Sequence, residues 1–405
     1  MKFLIISQYA GAPKYGMVLR NYNWAKALVD MGHEVKIIAS SYSHYRARQP
    51  NLDGKEHQEI IDGIDYHWLP GLIYDGKSNI KRLISMFQFC FQLYTKNKKF
   101  GDSYDAVIAS SPQPFTVFPV IHLAKKYRTK FIYDIRDLWP LTPVHLGGFS
   151  KKHPFIRAMQ YAEDVACKKA NLVTCVPENA RDYLVGRGMN EDKFLALGNG
   201  ILSHNISEEK LPQKITKKIQ DFKSNFDFVI TYIGSMGRAN ALNSLIEAFS
   251  FLPNNIGCIL IGEGPLKEDL KQHVQSEKVQ DRFLFLESVP LSQVKDFLSN
   301  VDAGYCGLMK SELFEKGVSP TKLNDYMLAD KPIIFSIGYN HSAIVNTNCG
   351  YACEPENPKS ISESILKMSQ LSEEERVLMG KRGKKWVLEN AMVKRQMEKL
   401  IDKLN

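Results

Sequence analysis

The stretch GVSPTKLNDYMLADKPII, residues 317–334, places a lysine and an aspartate at the mouth of a helix that runs into an apolar strand. Ser319 is a preferred N-cap, Pro320 suits the first helical position, and Leu323, Tyr326 and Met327 recur at helical spacing. Capping does not call for Lys322, because a cation in the first turn opposes the helix dipole. A phosphate would repair that: free backbone N–H groups at the helix start would bind it, with Lys322 as a point charge beside them. Asp325, one turn on, would then accept hydrogen bonds from sugar hydroxyls. The alternative is a capped surface helix with a solvated lysine and aspartate.

Other stretches carry related chemistry. In YIGSMGRANALNSLIEAF, residues 232–249, Gly234 and Gly237 let backbone approach a ligand and Arg238 brings charge to a helix start. Together Arg238 and Lys322 form a candidate pyrophosphate clamp. In YDIRDLWP, residues 133–140, Arg136, Asp137 and Trp139 gather at the carboxyl end of a strand, and Asp134 and Asp137 flank the arginine. A ligand-facing loop is one reading and an internal ion pair the other. In SQYAGAPKYGMVLRNYNWAKAL, residues 7–28, Gly11, Pro13 and Gly16 delay a helix whose first turns hold Arg20, a candidate anion contact. That loop is not G-x-G-x-x-G and no downstream ribose acid accompanies it, so an NAD-dependent oxidoreductase gains no support. LIGEGP, residues 260–265, reads as a tight turn with Glu263 in solvent, whereas the backbone after Glu287 in FLESVP could line a base pocket. His145, near the DLWP loop, reads as a solvated loop histidine.

Parallel strands must position these residues. KFLIISQ, EVKIIAS, YDAVIAS, KFIYDI and ANLVTCV alternate with helical patterns near residues 19–31, 115–127, 153–169 and 178–187. The alternation restarts with DFVITYIG and continues through GCILIGEG, RFLFLES, DAGYCGL and KPIIFS. This is α/β architecture with two doubly wound, Rossmann-like domains. The expected boundaries are 1–200 for an acceptor-binding domain and 201–380 for a nucleotide-sugar domain, with 381–405 a terminal helix packing back across the junction. The polar linker LGNGILSHNISEEKLPQKI lies between the halves, and the ligand is expected in a cleft facing both.

The chain of 405 residues carries a formal charge of +9, which implies an anionic partner. Seven scattered cysteines without zinc spacing read as reduced thiols. MKFLIIS reads as a strand rather than a signal peptide, and no apolar run is long enough to span a bilayer. The expectation is a cytoplasmic protein, with residues 77–100 as the exception to its otherwise globular pattern. There Ile80, Leu83, Phe87, Phe91 and Tyr94 share a helical face flanked by Lys77, Lys81, Arg82, Lys96, Lys98 and Lys99, with no acid inside the stretch. Such a helix either lies on an anionic membrane or packs its apolar face on the sheet.

In order and spacing, SQYAGAPKYGMVLRNYNWAKALVDMGHEVKII of residues 7–38, ASSPQPF, YDIRDLWP, LGNGI, YIGSMG, LIGEGP and residues 317–334 together resemble family 4 glycosyltransferases of the GT-B fold over essentially the whole chain. RDLWP combined with SPTK and DYM is closest to the bacterial branch that builds O-antigen, capsule and other surface polysaccharides, which includes N-acetyl-fucosamine transferases. The resemblance implies retaining transfer from a nucleoside-diphosphate sugar, commonly UDP-linked, without a metal or other cofactor. It also implies a saccharide or polyprenyl-diphosphate-linked acceptor, peripheral placement on the cytoplasmic face of the inner membrane, and no nucleic acid. The ribose role of the family's second glutamate passes to Asp325, while Gly317 stands where the first is expected. Arg136-Asp137 replaces the usual His-Asp pair, so the catalytic set is Asp137, Arg136, Lys322 and Arg238. The substrate-binding set is Gly16, Arg20, Gly234, Gly237, Glu287, Gly317, Ser319, Pro320 and Asp325. Two alternatives remain: a GT-B sugar-nucleotide epimerase or hydrolase, and a non-catalytic basic protein that binds membrane or nucleic acid.

Overall fold

The computed structural model describes residues 1–16, 19–50, 53–74, 79–202 and 209–405. The middle of the expected linker, residues 203–208, and Lys77 lie outside these. The chain divides into two compact units: Met1–Leu202 with Val393–Asn405, and Ser203–Met392.

Unit 1 is built on eight strands: β1 Lys2–Ile6, β2 Glu34–Ser40, β3 His57–Ile61, β4 Ile64–Leu69, β5 Ala106–Ser110, β6 Lys130–Ile135, β7 Leu172–Cys175 and β8 Phe194–Ala196. Their order is β3-β4-β2-β1-β5-β6-β7-β8. All neighbours pair in parallel except the β3–β4 hairpin. The central strands read as continuous apolar runs because helices cover both faces: Phe3 to Ile6 and Ala106 to Ala109 are fully buried. The hairpin, absent from the sequence-based strand set, turns on Asp62-Gly63, both at positive φ. An Asp-Gly pair between β-rich runs is the signal that could have revealed it.

Unit 2 is a six-stranded parallel sheet in the order β11-β10-β9-β12-β13-β14. Its strands are β9 Phe228–Ile233, β10 Ile256–Ile261, β11 Phe283–Leu286, β12 Ala303–Gly307, β13 Ile333–Ser336 and the short β14 Gly350–Ala352. The helical C-terminal segment breaks into two helices, Glu373–Asn390 and Val393–Leu404. The second belongs to unit 1, where Val393, Met397, Leu400 and Leu404 join Trp24 and Leu28 in one core.

The most buried polar network in unit 1 centres on Asp134 at the end of β6. Its carboxylate accepts from Arg20 Nη2 at 2.9 Å, Ser110 Oγ at 2.7 Å and Thr174 Oγ1 at 2.9 Å. Arg20 spends its remaining donors on the carbonyls of Leu197 and Gly198, and the two side chains are 3% and 0% exposed. This corrects two expectations. Arg20 is an internal strut tying the first helix to β6 and to the segment after β8, not an anion contact, and the ion pair of the YDIRDLWP loop joins Asp134 to Arg20 rather than to Arg136. The physical reason is distance in sequence: Arg20 and Asp134 meet only when β1, β5 and β6 are aligned. Breaking such a pair leaves a buried charge, so Asp134→Ala should lose about 3–5 kcal/mol of stability in urea unfolding. The double variant Asp134→Ala/Arg20→Leu should recover part of the loss; no recovery would show that the hydroxyl contacts matter more than the charge pair.

Candidate functional site

In unit 2 the strand order reverses at β9, which lies between β10 and β12. Loops leaving such a point diverge and open a crevice at the carboxyl edge of the sheet. The segment after β9 turns at Gly234, whose φ is +132°, a conformation that side chains rarely adopt. A Cβ there would also lie 3.3 Å from Lys322 Cε and 3.4 Å from its Nζ, so the glycine leaves space for the lysine. Gly262, after β10, packs so closely that a Cβ would meet the Gly234 carbonyl oxygen at 2.0 Å. These two glycines let the β9 and β10 turns lie against each other.

The helix Thr321–Leu328 begins beside this turn. Its N-cap is Pro320, with no side-chain cap. This corrects the expectation that Ser319 caps it and Pro320 opens it: the helix starts one residue later, and Pro320, in extended geometry, precedes the first turn. Pro320 offers no side-chain cap, and first-turn N–H groups at such a helix start are the ones an anion can bind. Tyr326, fully buried, anchors the helix: its hydroxyl accepts from the Ile233 N–H at 3.0 Å and donates to the Tyr305 carbonyl at 3.0 Å. Gly304 makes room for that ring, since a Cβ there would meet it at 2.5 Å.

Lys322 Nζ donates to Asn240 Oδ1 at 3.2 Å and stands 3.9 Å from the centroid of the Tyr232 ring. Among the described residues it forms no ion pair. Burial lowers its pKa to about 8, with the Cys306 thiol the only opposing influence. A cation held over an aromatic ring and a neutral amide, without a carboxylate, is compensated only when an anion arrives. Asn240 is itself fixed by donating to the Ser235 carbonyl at 2.9 Å, and Tyr232 by donating to the same oxygen at 2.6 Å. Asn240 and Tyr232 were not singled out in the sequence, because an amide and an aromatic on separate elements carry no motif, and Tyr326 was read only as part of the apolar face of its helix.

The other expected residues of unit 2 distribute around this centre. Asp325 is partly exposed, and desolvation lifts its carboxyl to about 7. Arg238 opens a short 3-10 turn after Gly237 and is exposed, without an ion pair among the described residues. Gly317 has φ +99°, two residues before Ser319. Glu287 follows β11 and is exposed. Glu263 is bound to Lys267 at 2.8 Å.

Unit 1 presents its own set at the carboxyl edge of its sheet. Arg136 is mostly buried, its Nε has no hydrogen-bond partner, and desolvation and the neighbouring Arg20 charge lower its pKa. Its backbone N–H is held by Ser111 Oγ at 2.8 Å. Asp137 is exposed; desolvation raises its carboxyl against the pull of Arg136 and Arg20. Gly16 adopts φ +67° in the loop before the Arg20 helix.

The two titrating groups give a pH dependence. Lys322 contributes to anion binding while protonated and loses that contribution as pH rises through about 8. Asp325 gains its acceptor charge as pH rises through about 7. Calorimetric affinity for a nucleoside diphosphate should therefore be highest between these values. Lys322→Met should flatten the alkaline limb and Asp325→Asn the acid limb. An unchanged alkaline limb in Lys322→Met would assign it to another group.

Residues 15–202 match the Glycosyltransferase Family 4 model and residues 213–386 the Glycosyl transferases group 1 model. Sucrose-phosphate synthase from Thermosynechococcus elongatus superposes with a TM-score of 0.73 at 13% identity, covering 100% of this chain and 98% of that one. The Anabaena protein HepE, solved with UDP-glucose, gives 0.65 at 15% identity, with 99% and 100% covered. The GPI3 subunit of the Saccharomyces cerevisiae phosphatidylinositol N-acetylglucosaminyltransferase is 19% identical over 292 residues, 71% of this chain. This chain's match spans only 58% of that relative's length. Two Rossmann-like units and both family models lead to one statement: the chain carries the two domains of the GT-B glycosyltransferases, a family 4-like first half and a group 1 second half.

Proposed function

We propose that the protein transfers a sugar, an N-acetylated amino sugar, from a UDP-linked donor to a lipid-linked saccharide, with retention at the anomeric carbon, in bacterial surface-polysaccharide synthesis. The observation that carries the donor half is Lys322, an ammonium without a carboxylate partner at the uncapped start of the Thr321–Leu328 helix. That HepE was solved with UDP-glucose supports the choice of UDP, and the name of the yeast relative supports an amino sugar and a lipid acceptor.

In the proposed reaction the bond from the anomeric carbon to the β-phosphate oxygen breaks and its electron pair stays on the phosphate. Lys322, Arg238 and the N–H groups at the helix start stabilise that growing charge. The acceptor oxygen forms the new bond on the same face and its proton passes to the leaving phosphate, so no protein nucleophile is required. Asp325 holds ribose hydroxyls, with Gly234, Gly237, Gly317, Ser319 and Pro320 shaping the approach and the backbone after Glu287 bordering the base. Arg136 and Asp137 would orient the acceptor on unit 1.

Peripheral membrane attachment at the cytoplasmic face belongs to the same proposal. The Asn79–Thr95 helix buries Met86, Phe89, Cys90 and Leu93 and exposes Ile80, Ile84, Phe87 and Phe91, the first and last by 73% and 67%. The helix thus packs on unit 1 and still carries an outward apolar stripe, as a membrane-surface helix does. Leu83 leaves the expected exposed face and Ile84 takes its place. Lys96 and Lys99 share the single carboxylate of Glu56, which cancels one of their two charges, and Lys81, Arg82 and Lys98 complete the basic rim. No helix among the described residues is long and apolar enough to cross a membrane.

Titration of UDP without added metal should show binding to the wild type that collapses in Lys322→Ala, and turnover in that variant should fall roughly a hundredfold or more. Release of free sugar or an epimerised nucleotide without an acceptor would favour the hydrolase or epimerase reading. Failure of every nucleotide to bind would return the protein to the binding-module class.

A further inference from the structure

A pocket of about 420 Å³ lies wholly within unit 1, within the usual range for small-molecule sites of about 300–1,000 Å³. Ile80, Leu83 and Met86 of the Asn79–Thr95 helix face Trp139, Phe149 and Phe155 across it. Leu83, Trp139 and Phe155 also pack on the buried cluster of Phe115, Ile156 and Met159, so the pocket floor is core rather than loop. Ile80 belongs both to the lining and to the exposed stripe, which places the mouth of the pocket on the face that carries Ile84, Phe87 and Phe91.

Two polar side chains border this apolar space. His153 is occupied as the N-cap of the Pro154–Lys169 helix, its Nδ1 accepting from the Phe155 N–H at 3.2 Å. Arg82 is different. It stands 5.8 Å from the Tyr45 ring centroid and 5.7 Å from that of Trp139, and donates through Nη2 to the Tyr45 hydroxyl at 3.0 Å. Its Nε is buried without a hydrogen-bond partner, and among the described residues no carboxylate pairs with it. Tyr45 also acts electrostatically on Arg136, which feels the Asp134 and Asp137 carboxylates but forms no ion pair among the described residues.

We infer that this pocket is a subsite for the hydrocarbon chain of a single-chain lipid phosphate, whose anionic head lies against Arg82. The inference rests on the lipid-linked acceptor reading and assigns the part of the protein that takes the chain nearest the phosphate. An apolar pocket filled with water is unfavourable, and a partly desolvated guanidinium without an anion is too; an amphiphile with one negative head relieves both at once. A soluble anion leaves the pocket unfilled, and a neutral lipid leaves Arg82 unpaired. The exposed stripe beside the mouth gives the chain a path from a bilayer without crossing water.

The test uses the full chain and dodecyl phosphate below its micelle concentration, with dodecanol and inorganic phosphate as separate probes, read by calorimetry. Dodecyl phosphate should bind, and inorganic phosphate should not displace it. Leu83→Trp, which fills the pocket, should weaken binding about tenfold or more, the equivalent of roughly two methylenes returned to water. Arg82→Gln should weaken dodecyl phosphate while leaving dodecanol unchanged. UDP affinity is measured on all three proteins and should be equal, which separates a lost subsite from a lost fold. Wild-type affinity in Leu83→Trp, or competition by inorganic phosphate on equal terms, overturns the inference. So does binding seen only with anionic vesicles and insensitive to Leu83→Trp, which would place the lipid on the exposed stripe. Failure of UDP to bind the wild type while dodecyl phosphate still does would overturn the donor reading and leave the chain subsite standing.

Discussion

Parallel pairing is the constraint on which both units depend. A strand can pair in parallel with its neighbour only if the chain returns through a crossover, so the helix after each strand starts near that strand's carboxyl end. The helix N-termini, with their unsatisfied N–H groups and positive dipole ends, therefore collect along one edge of each sheet. In unit 2 that edge holds the Gly234 turn and the Thr321–Leu328 helix. In unit 1 it holds Ser111, Arg136 and the start of the Arg20 helix. An anionic substrate is the natural complement of such an edge before any side chain is considered.

Side chains then decide which positive groups are used internally and which are left for a ligand. Arg20 and Arg136 both lie near β6, yet their fates differ: Arg20 is matched by Asp134 and two carbonyls, whereas Arg136 keeps an unpartnered Nε. Lys322 and Lys267 make the same contrast in unit 2. Lys267 is satisfied by Glu263 and the carbonyls of Gly262 and Leu286, while Lys322 has only an amide oxygen and an aromatic face. Burial of an unmatched cation is unfavourable in the free protein, and its retention is understandable where a ligand supplies the missing charge. The Tyr326 anchor serves this arrangement by fixing the helix to the end of β9, so that the ammonium and the helix start keep one geometry.

The Asn79–Thr95 helix shows the same division for apolar groups. One side completes the core through Met86, Phe89 and Leu93, and another carries large apolar residues in solvent. The core reading of its sequence holds for one side of the helix, and the other side leaves the apolar stripe on which the membrane-surface proposal rests. A helix with apolar residues over more than half its circumference has enough for both purposes, and periodicity alone does not say which stripe faces inward.

The sequence by itself determined the elements and their class. Alternating β-rich runs and helical patterns sufficed for two doubly wound units because local periodicity and turn chemistry are properties of neighbouring residues. It also singled out Gly234, Lys322 and Asp325 as candidates, since all lie in loops or early helix turns next to strand ends. What it did not determine was partnership across long separations. That Asp134 takes Arg20 rather than Arg136, that Glu56 pairs with Lys96 and Lys99, and that Asn240 and Tyr232 contact Lys322 while Tyr326 anchors its helix depended on the alignment of strands far apart in the chain. An ion pair or a cation over a ring is decided by a few ångströms in space, and only the tertiary structure brings residues a hundred positions apart within that range.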